Sequence, residues 1–272
     1  CFARPSLKMR TISLRSAQTA ANFHYVFNLR HIASVFAGLL MLTPTKFSST
    51  DKVANVWLHE CERVYADRLV SPEHQASFQE LVQKQAKMAM PSFNFGKFSG
   101  ENAAPLLFNH FMAGIGEEPV YDQVEEVDVL KKNLDLMLED YNETNAVMDL
   151  VLFEDAMRHI CRITRVINNT AGHCMLVGVG GSGKQSLSRL SAHICGFKTK
   201  TITISATYGI NDLKADIQEM YKLAGVKGEG VMWLFTDNQI VNEKFLVYMN
   251  DLLSSGKISD LYAQVSERTS EP

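Results

Sequence analysis

The sequence predicts an α/β fold, a parallel sheet flanked by helices, preceded by an all-helical segment. Three observations carry this. Strand-like and helix-like stretches alternate from His173 onward. A glycine-rich run, GVGGSGKQ, stands between one such strand and the helix after it. Residues Asn22 to Ala89 repeat apolar side chains at three- and four-residue spacing, the period of an amphipathic helix. At 272 residues, 46% apolar with a net charge of -3, the chain can bury one large core or two modest ones. This composition excludes a disordered tail and gives no electrostatic reason to expect a nucleic-acid partner. No apolar run approaches the roughly 20 residues needed to cross a bilayer, so no membrane partner is expected. The five cysteines, at 1, 61, 161, 174 and 195, form no CxxC pair and have no metal-like spacing to histidine. That pattern fits buried thiols in a reducing compartment.

In the helical segment, FHYVFNLRHIASVFAGLL predicts the first helix and Thr50 to Leu69 the second, with Ser/Thr/Asp as N-cap candidates. Ser71-Pro72-Glu73 predicts a cap with proline at the first helical position, opening a third helix to about Met88. Met90 to Pro105 breaks the period with Pro, Gly, Ser and Asn and is the expected domain boundary, giving domains 1–95 and 96–272. Val124 to Tyr141 predicts a helix with Val127, Leu130, Leu134 and Leu138 on one stripe. Phe153 to Val166 predicts another, with Arg158, Arg162 and Arg165 on a solvated or inter-module face. CMLVGV is then expected as a buried strand, Lys184 to Ile194 as a helix, KTITIS as a strand and Asn211 to Leu223 as a helix. VMWLFT follows as a strand and Val241 to Leu253 as a helix ended by a Ser254-Ser255-Gly256 turn. Helical crossovers between strands imply a parallel sheet covered on both faces. The start at Cys1 and the finish at TSEP are read as a piece of something longer.

The pattern GxxxxGK gives GVGGSGKQ its chemistry. Gly178, Gly180, Gly181 and Gly183, with Ser182, let the backbone curl so that successive N–H groups cradle phosphates. The helix that follows offers its positive N-terminal end to the same anion. Lys184 reaches the terminal phosphates as a point charge, so the expected ligand is ATP or ADP, with Mg2+. The next residue should be Ser or Thr, whose hydroxyl binds magnesium. Here it is Gln185, with Ser186 one step later.

The partner strand should end in Asp-Glu, and VMWLF is followed instead by Thr236, Asp237, Asn238 and Gln239. Two alignments stand. Either Asp237 is on the metal side and Asn238 replaces the base, or Thr236 is on the metal side and Asp237 is the base. One acidic function is missing in both, so turnover is expected to be weak. Gln185 and Asp237 are the candidate magnesium contacts, and Asp237 is the candidate catalytic group. His173 and His193 are expected to be packing or surface residues, and Met88, Met90, Met112 and Met137 to be core filler. A stand-alone P-loop ATPase or small-molecule kinase is the alternative. A kinase needs a complete magnesium site and an acceptor pocket with its own base, and the sequence offers neither.

LVGVGGSGKQSLSRLSAHI, with TYGINDLKADIQEMYKLAGVKGEGVMWLFTDNQIVNEKFLVYMNDLLSSGKISDLY, resembles the fourth AAA+ module of an axonemal dynein heavy chain. FHYVFNLRHIASVFAGLL and WLHECERVYADRL resemble the end of the preceding, third module. The resemblance covers about residues 22 to 262. It implies a P-loop NTPase sheet behind an all-α lid, within a ring of six AAA+ modules that moves along microtubules. Hydrolysis lies mainly in the first module, and later modules bind nucleotide and regulate. The implied partners are adjacent AAA+ modules, microtubules and dynein intermediate and light chains; the implied location is the cytoplasm, cytoskeleton and ciliary axoneme. Matching the downstream helix favours Thr236 at the Asp and Asp237 at the Glu of the family's Asp-Glu-Ser-Asn, with Gln239 on the Asn, which adds Thr236 and Gln239 to the nucleotide site. Arg30 matches a sensor arginine facing nucleotide in the third module.

Overall fold

The computed structural model describes residues 19–20, 22–43, 49–91, 93–94, 106–169 and 172–262. The flanking ends and most of the Met90–Pro105 boundary stretch lie outside these. The described residues fall into two compact units, drawn from Cys1–Ala113 with Glu117–Asn133 and from Gly114–Gly116 with Leu134–Pro272. No helix among the described residues is long and apolar enough to cross a membrane.

The first unit is built on three helices, α1 (Leu29–Leu39), α2 (Thr50–Val64) and α3 (Pro72–Ala89). The first helix is shorter than its apolar period, because Asn28 stops it. The Asn28 side chain accepts from Arg30 N, and Asn28 N donates to His31 Nδ1, so the helix starts at Leu29 and residues 25–28 stay outside it. Ser49 caps α2 as expected, accepting from Lys52 N. That helix ends at Val64, and a 3-10 turn over Ala66–Arg68 replaces its predicted last turn. Pro72 does open α3, but the Ser71 hydroxyl donates to the Glu73 carboxylate instead of capping the backbone.

Trp57, Tyr65 and Phe78 anchor the core of this unit, with Val35 from α1 and Val82 and Ala86 from α3. A short antiparallel pair, β1 (Phe108–Asn109) with β2 (Asp122–Gln123), belongs to the same unit. Phe108 and Tyr121 pack with Val56 of α2. The Tyr121 hydroxyl donates to Oε1 of Glu60, a carboxylate with no exposed surface. Val124 N continues the pairing by donating to Leu107 O. The next helix, α4 (Val127–Thr144), therefore begins three residues later than its period predicts.

The second unit contains α5 (Glu154–Ile167), α6 (Lys184–Ile194), β3 (Lys198–Lys200), α7 (Ile210–Gly225), β4 (Val231–Trp233) and α8 (Phe245–Ser255). The division between units falls inside α4. β3 and β4 are parallel, with Lys198 opposite Val231 and Lys200 opposite Trp233. Ile202, Leu213, Ile217, Phe245 and Tyr248 form the core around this pair. α8 starts late because Asn242 organises a turn, accepting Lys244 N on its side chain and Phe245 N on its carbonyl. It ends on Gly256, at φ +68, as the Ser-Ser-Gly turn predicts.

Two strand expectations fail. Cys174 to Val179 is not a buried strand: Met175, Val177 and Val179 are 88%, 84% and 80% exposed. A central strand needs ladder partners on its flanks, and among the described residues β3 and β4 pair with each other and not with this stretch. KTITIS contributes only Lys200 to a strand, because the register against β4 places the paired residues earlier. The arginine face on α5 is also revised, since Arg165 is buried and Arg158 is tied to Glu154.

The tightest point in the first unit gives a prediction. A Cβ on Gly38 of α1 would collide with the buried Glu60 carboxylate. Gly38→Ala is expected to cost about 1–3 kcal/mol, the usual penalty for overpacking. Gly225→Ala, whose Cβ meets nothing within 4 Å, is expected to be neutral or stabilising by up to about 1 kcal/mol. Urea denaturation of the two variants checks the contrast.

Candidate functional site

The loop before α6 follows from its glycines. Gly181 and Gly183 both sit at φ +75, the left-handed region that any side chain would strain. Gly183 is the N-cap of α6 and supplies no side-chain acceptor to the first turn. The helix therefore opens with N–H groups that no capping side chain satisfies, facing the loop with the positive end of the helix dipole. Gly180, Gly181 and Gly183 all border open space within 4 Å of where a Cβ would stand. A Cβ on Gly178 would instead point at the inside of the loop, 3.4 Å from Ser182 Oγ and 3.8 Å from Lys184 Nζ.

Lys184, the first residue of α6, folds back over this loop. Its Nζ donates to Gly178 O at 2.8 Å, Val179 O at 2.6 Å and Ser182 Oγ at 3.2 Å. An ammonium has three N–H donors, and these three acceptors use them all. The positive charge is thus fixed within the ring of backbone that an anion would enter. Gln185 is exposed and Ser186 half-buried on the same turn.

α6 is a firm mount for the loop. Leu187, Leu190 and Ile194 are buried, and the helix packs on α5. Ser188 Oγ donates to Lys184 O, bracing the first turn. At the far end His193 Nε2 meets Asp140 at 2.7 Å, and its ring lies edge-on to Tyr141. His193 therefore packs, as expected, and His173 is exposed. Burial pushes the Cys195 thiol up to about 12, so it stays protonated beneath the helix end.

The other half of the predicted site follows β4. Asp237–Gln239 form a single 3-10 turn, with Asp237 exposed and Thr236 in the extended position before it. Gln239 is occupied at both ends of its amide. Oε1 accepts Thr236 N at 2.9 Å, and Nε2 donates to Ile202 O at 2.6 Å. Sequence reasoning included Gln239 as a nucleotide contact and missed this backbone role; the Thr236 bond is a capping box readable as T-x-x-Q, and the Ile202 bond shows only once the strand register is known. Arg30, in the other unit, is exposed on the first turn of α1.

The fold implies magnesium alongside nucleotide. Among the described residues no three His, Cys, Asp or Glu side chains come together as a standing metal site. The available donors, Ser186, Gln185, Thr236 and Asp237, are all oxygens. That set fits a hard cation held mostly by water and phosphate oxygens, with one or two protein contacts.

Comparison with known proteins gives the family context of this loop. Residues 148–270 match the family described as "P-loop containing dynein motor region D4", and residues 7–94 match an "AAA+ lid domain". The chain is 54% identical over 254 residues to the "Dynein alpha chain, flagellar outer arm" of Chlamydomonas reinhardtii, covering 93% of this chain and 6% of that one. It is 46% identical to the "Dynein beta chain, ciliary" of Tripneustes gratilla over 245 residues, covering 90% and 5%. Human "Dynein axonemal heavy chain 17" is 46% identical over 248 residues, again covering 90% and 5%. The chain thus spans about one-twentieth of the length of the relatives it matches.

The loop glycines should differ in their tolerance. Gly183→Ala is expected to lower unfolding free energy by about 1–2 kcal/mol, because alanine is strained at its φ. Gly180→Ala is expected to stay within about 0.5 kcal/mol of the parent. Chemical denaturation of both variants reads the difference; equal losses would contradict the loop conformation described.

Proposed function

Because this chain belongs to the axonemal dynein heavy-chain family, we propose that it is a regulatory AAA+ segment that binds ATP or ADP and turns it over slowly or not at all. The observation that carries this is the Lys184 ammonium fixed within a glycine-rich loop, at an N-terminus of α6 that no side chain caps. Gly178, Gly180, Gly181, Ser182 and Gly183 form the cradle, and Lys184 contacts the terminal phosphates. Gln185 and Asp237 approach a magnesium ion that arrives with the nucleotide. A bound ion would supply charge neutralisation to the phosphates, and Thr236 is the strand-end residue next to Asp237.

Slow turnover is supported by the missing carboxylate. Phosphoryl transfer draws almost wholly on positioning and charge, and the strand end offers only Asp237 where two acids are expected. Gln185 brings a carbonyl where a hydroxyl is expected. The site keeps what binding needs and lacks part of what cleavage needs.

At the level of the parent chain, this segment serves microtubule-based movement of cilia, located on the axonemal cytoskeleton. Its partners are the neighbouring AAA+ modules directly, and microtubules and dynein intermediate and light chains through the complex. Residues 1–95 act as the lid of the preceding, third module, with Arg30 facing that module's nucleotide. Residues 96–272 belong to the fourth, so this division falls earlier in the chain than the one between the compact units, which lies within α4. The match to an AAA+ lid over residues 7–94 supports this division.

Lys184→Ala is expected to abolish ATP and ADP binding, a loss of at least about a hundredfold for a charge-assisted phosphate contact. Isothermal titration of the full chain reads it. Unchanged affinity would remove the assigned site.

A further inference from the structure

The parallel ladder between β3 and β4 stops in an unusual way. Its last backbone rung joins Leu234 N to Lys200 O at 2.8 Å. In a parallel pair the bonds recur every two residues on each strand. Of the rungs that would follow in this register, Ile202 N to Leu234 O is not made, and the one after it would join Thr236 N to Ile202 O. Those two groups do not bond to each other. The Gln239 amide stands between them, accepting from Thr236 N through Oε1 and donating to Ile202 O through Nε2. A primary amide carries one carbonyl acceptor and an N–H donor, as a peptide group does. Gln239 thus replaces a backbone rung with one that is an amide group wider.

We propose that Gln239 is a positioning residue, whose inserted amide splays β3 from β4 and sets where Thr236 and Asp237 stand relative to the phosphate loop. The inference rests on the nucleotide-site reading above. It gives Gln239 a different part in that site: it touches strand backbone and acts on the nucleotide's metal end through Thr236 and Asp237. Without the amide, Thr236 N is free to close directly on Ile202 O. That closure draws the strand end, and Asp237 with it, toward β3. The half of the site that meets the metal moves, and the half that meets the phosphates stays, since the loop is fastened to α6 by Lys184.

The test uses the full chain and measures ATP affinity with and without Mg2+, and ADP affinity in EDTA. The unsubstituted chain is expected to bind ATP more tightly with Mg2+ than without it. Gln239→Ala is expected to reduce that gain about tenfold while Mg2+-free ADP affinity stays within about twofold. Gln239→Glu separates positioning from general damage. Its protonated carboxyl has one donor and one acceptor and can restore both bonds, whereas the ionised form keeps the Thr236 bond and repels the Ile202 carbonyl. Because the ionised form still occupies Thr236 N, it blocks that closure, and at pH 8 the variant should keep more of the Mg2+ gain than Gln239→Ala. An unchanged Mg2+ gain in Gln239→Ala, or a Gln239→Glu variant whose gain is no larger than that of Gln239→Ala, would overturn the inference. So would a parent protein whose ATP affinity ignores Mg2+. If Lys184→Ala keeps binding nucleotide, the site reading fails as well. If Lys184→Ala loses binding while Gln239→Ala keeps the full Mg2+ gain, only the role of Gln239 fails.

Discussion

The loop from Gly178 to Gly183 has almost no side-chain packing of its own, and its shape depends on one ammonium. Lys184 Nζ gathers Gly178 O, Val179 O and Ser182 Oγ within 3.2 Å. Charge-assisted bonds are about twice as strong as neutral ones, so a single side chain can hold a glycine-rich segment that would otherwise sample many conformations. The same group then has to serve the ligand. An incoming phosphate competes with the loop carbonyls for its protons, so nucleotide binding is coupled to loop geometry through Lys184.

Around that constraint the second unit is arranged as two mounts. α6 is one, buried along Leu187, Leu190 and Ile194 and fastened at its far end by His193 against Asp140 and Tyr141. The β3–β4 pair is the other, backed by Phe245 and Tyr248 from α8 and Leu213 and Ile217 from α7. α7 also holds the chain beyond α8. Lys214 pairs with Asp260, Gln218 Nε2 donates to Leu261 O and the Tyr221 hydroxyl donates to Gly256 O. Three residues on one side of a helix thus fix the segment that closes the core. Such fixing is what a site for holding a ligand requires, because every mobile residue ordered on binding subtracts from affinity.

Much of this was legible in the sequence, for identifiable reasons. The GxxxxGK spacing located the loop, and α6 has the very bounds its pattern predicts, since glycine spacing and helical period are local signals. Pro72 and Gly256 marked a helix start and end because each has a fixed backbone preference. Strands were less legible. CMLVGV is as apolar as a buried strand should be, yet pairing is non-local, and apolar composition alone does not supply a neighbour. KTITIS failed for a related reason, its register being set by β4 and its ladder ending at the rung from Leu234 N to Lys200 O. The T-x-x-Q spacing of Thr236 and Gln239 is a capping-box pattern that announces the bond to Thr236 N, whereas the bond to Ile202 O depends on the strand register and has no linear signal. The burial of Arg165 was hidden too, since a polar residue on an amphipathic helix reads as solvated by default.

The central claim is that this site holds nucleotide more than it consumes it. A single-turnover experiment tests that most directly: the full chain is loaded with ATP and Mg2+, quenched over time, and the bound nucleotide is identified chromatographically. The account predicts that it is recovered as ATP, with cleavage at least a hundredfold slower than the ~1 s⁻¹ at the lower end of ordinary turnover. Conversion to ADP at about 1 s⁻¹ or faster would contradict it.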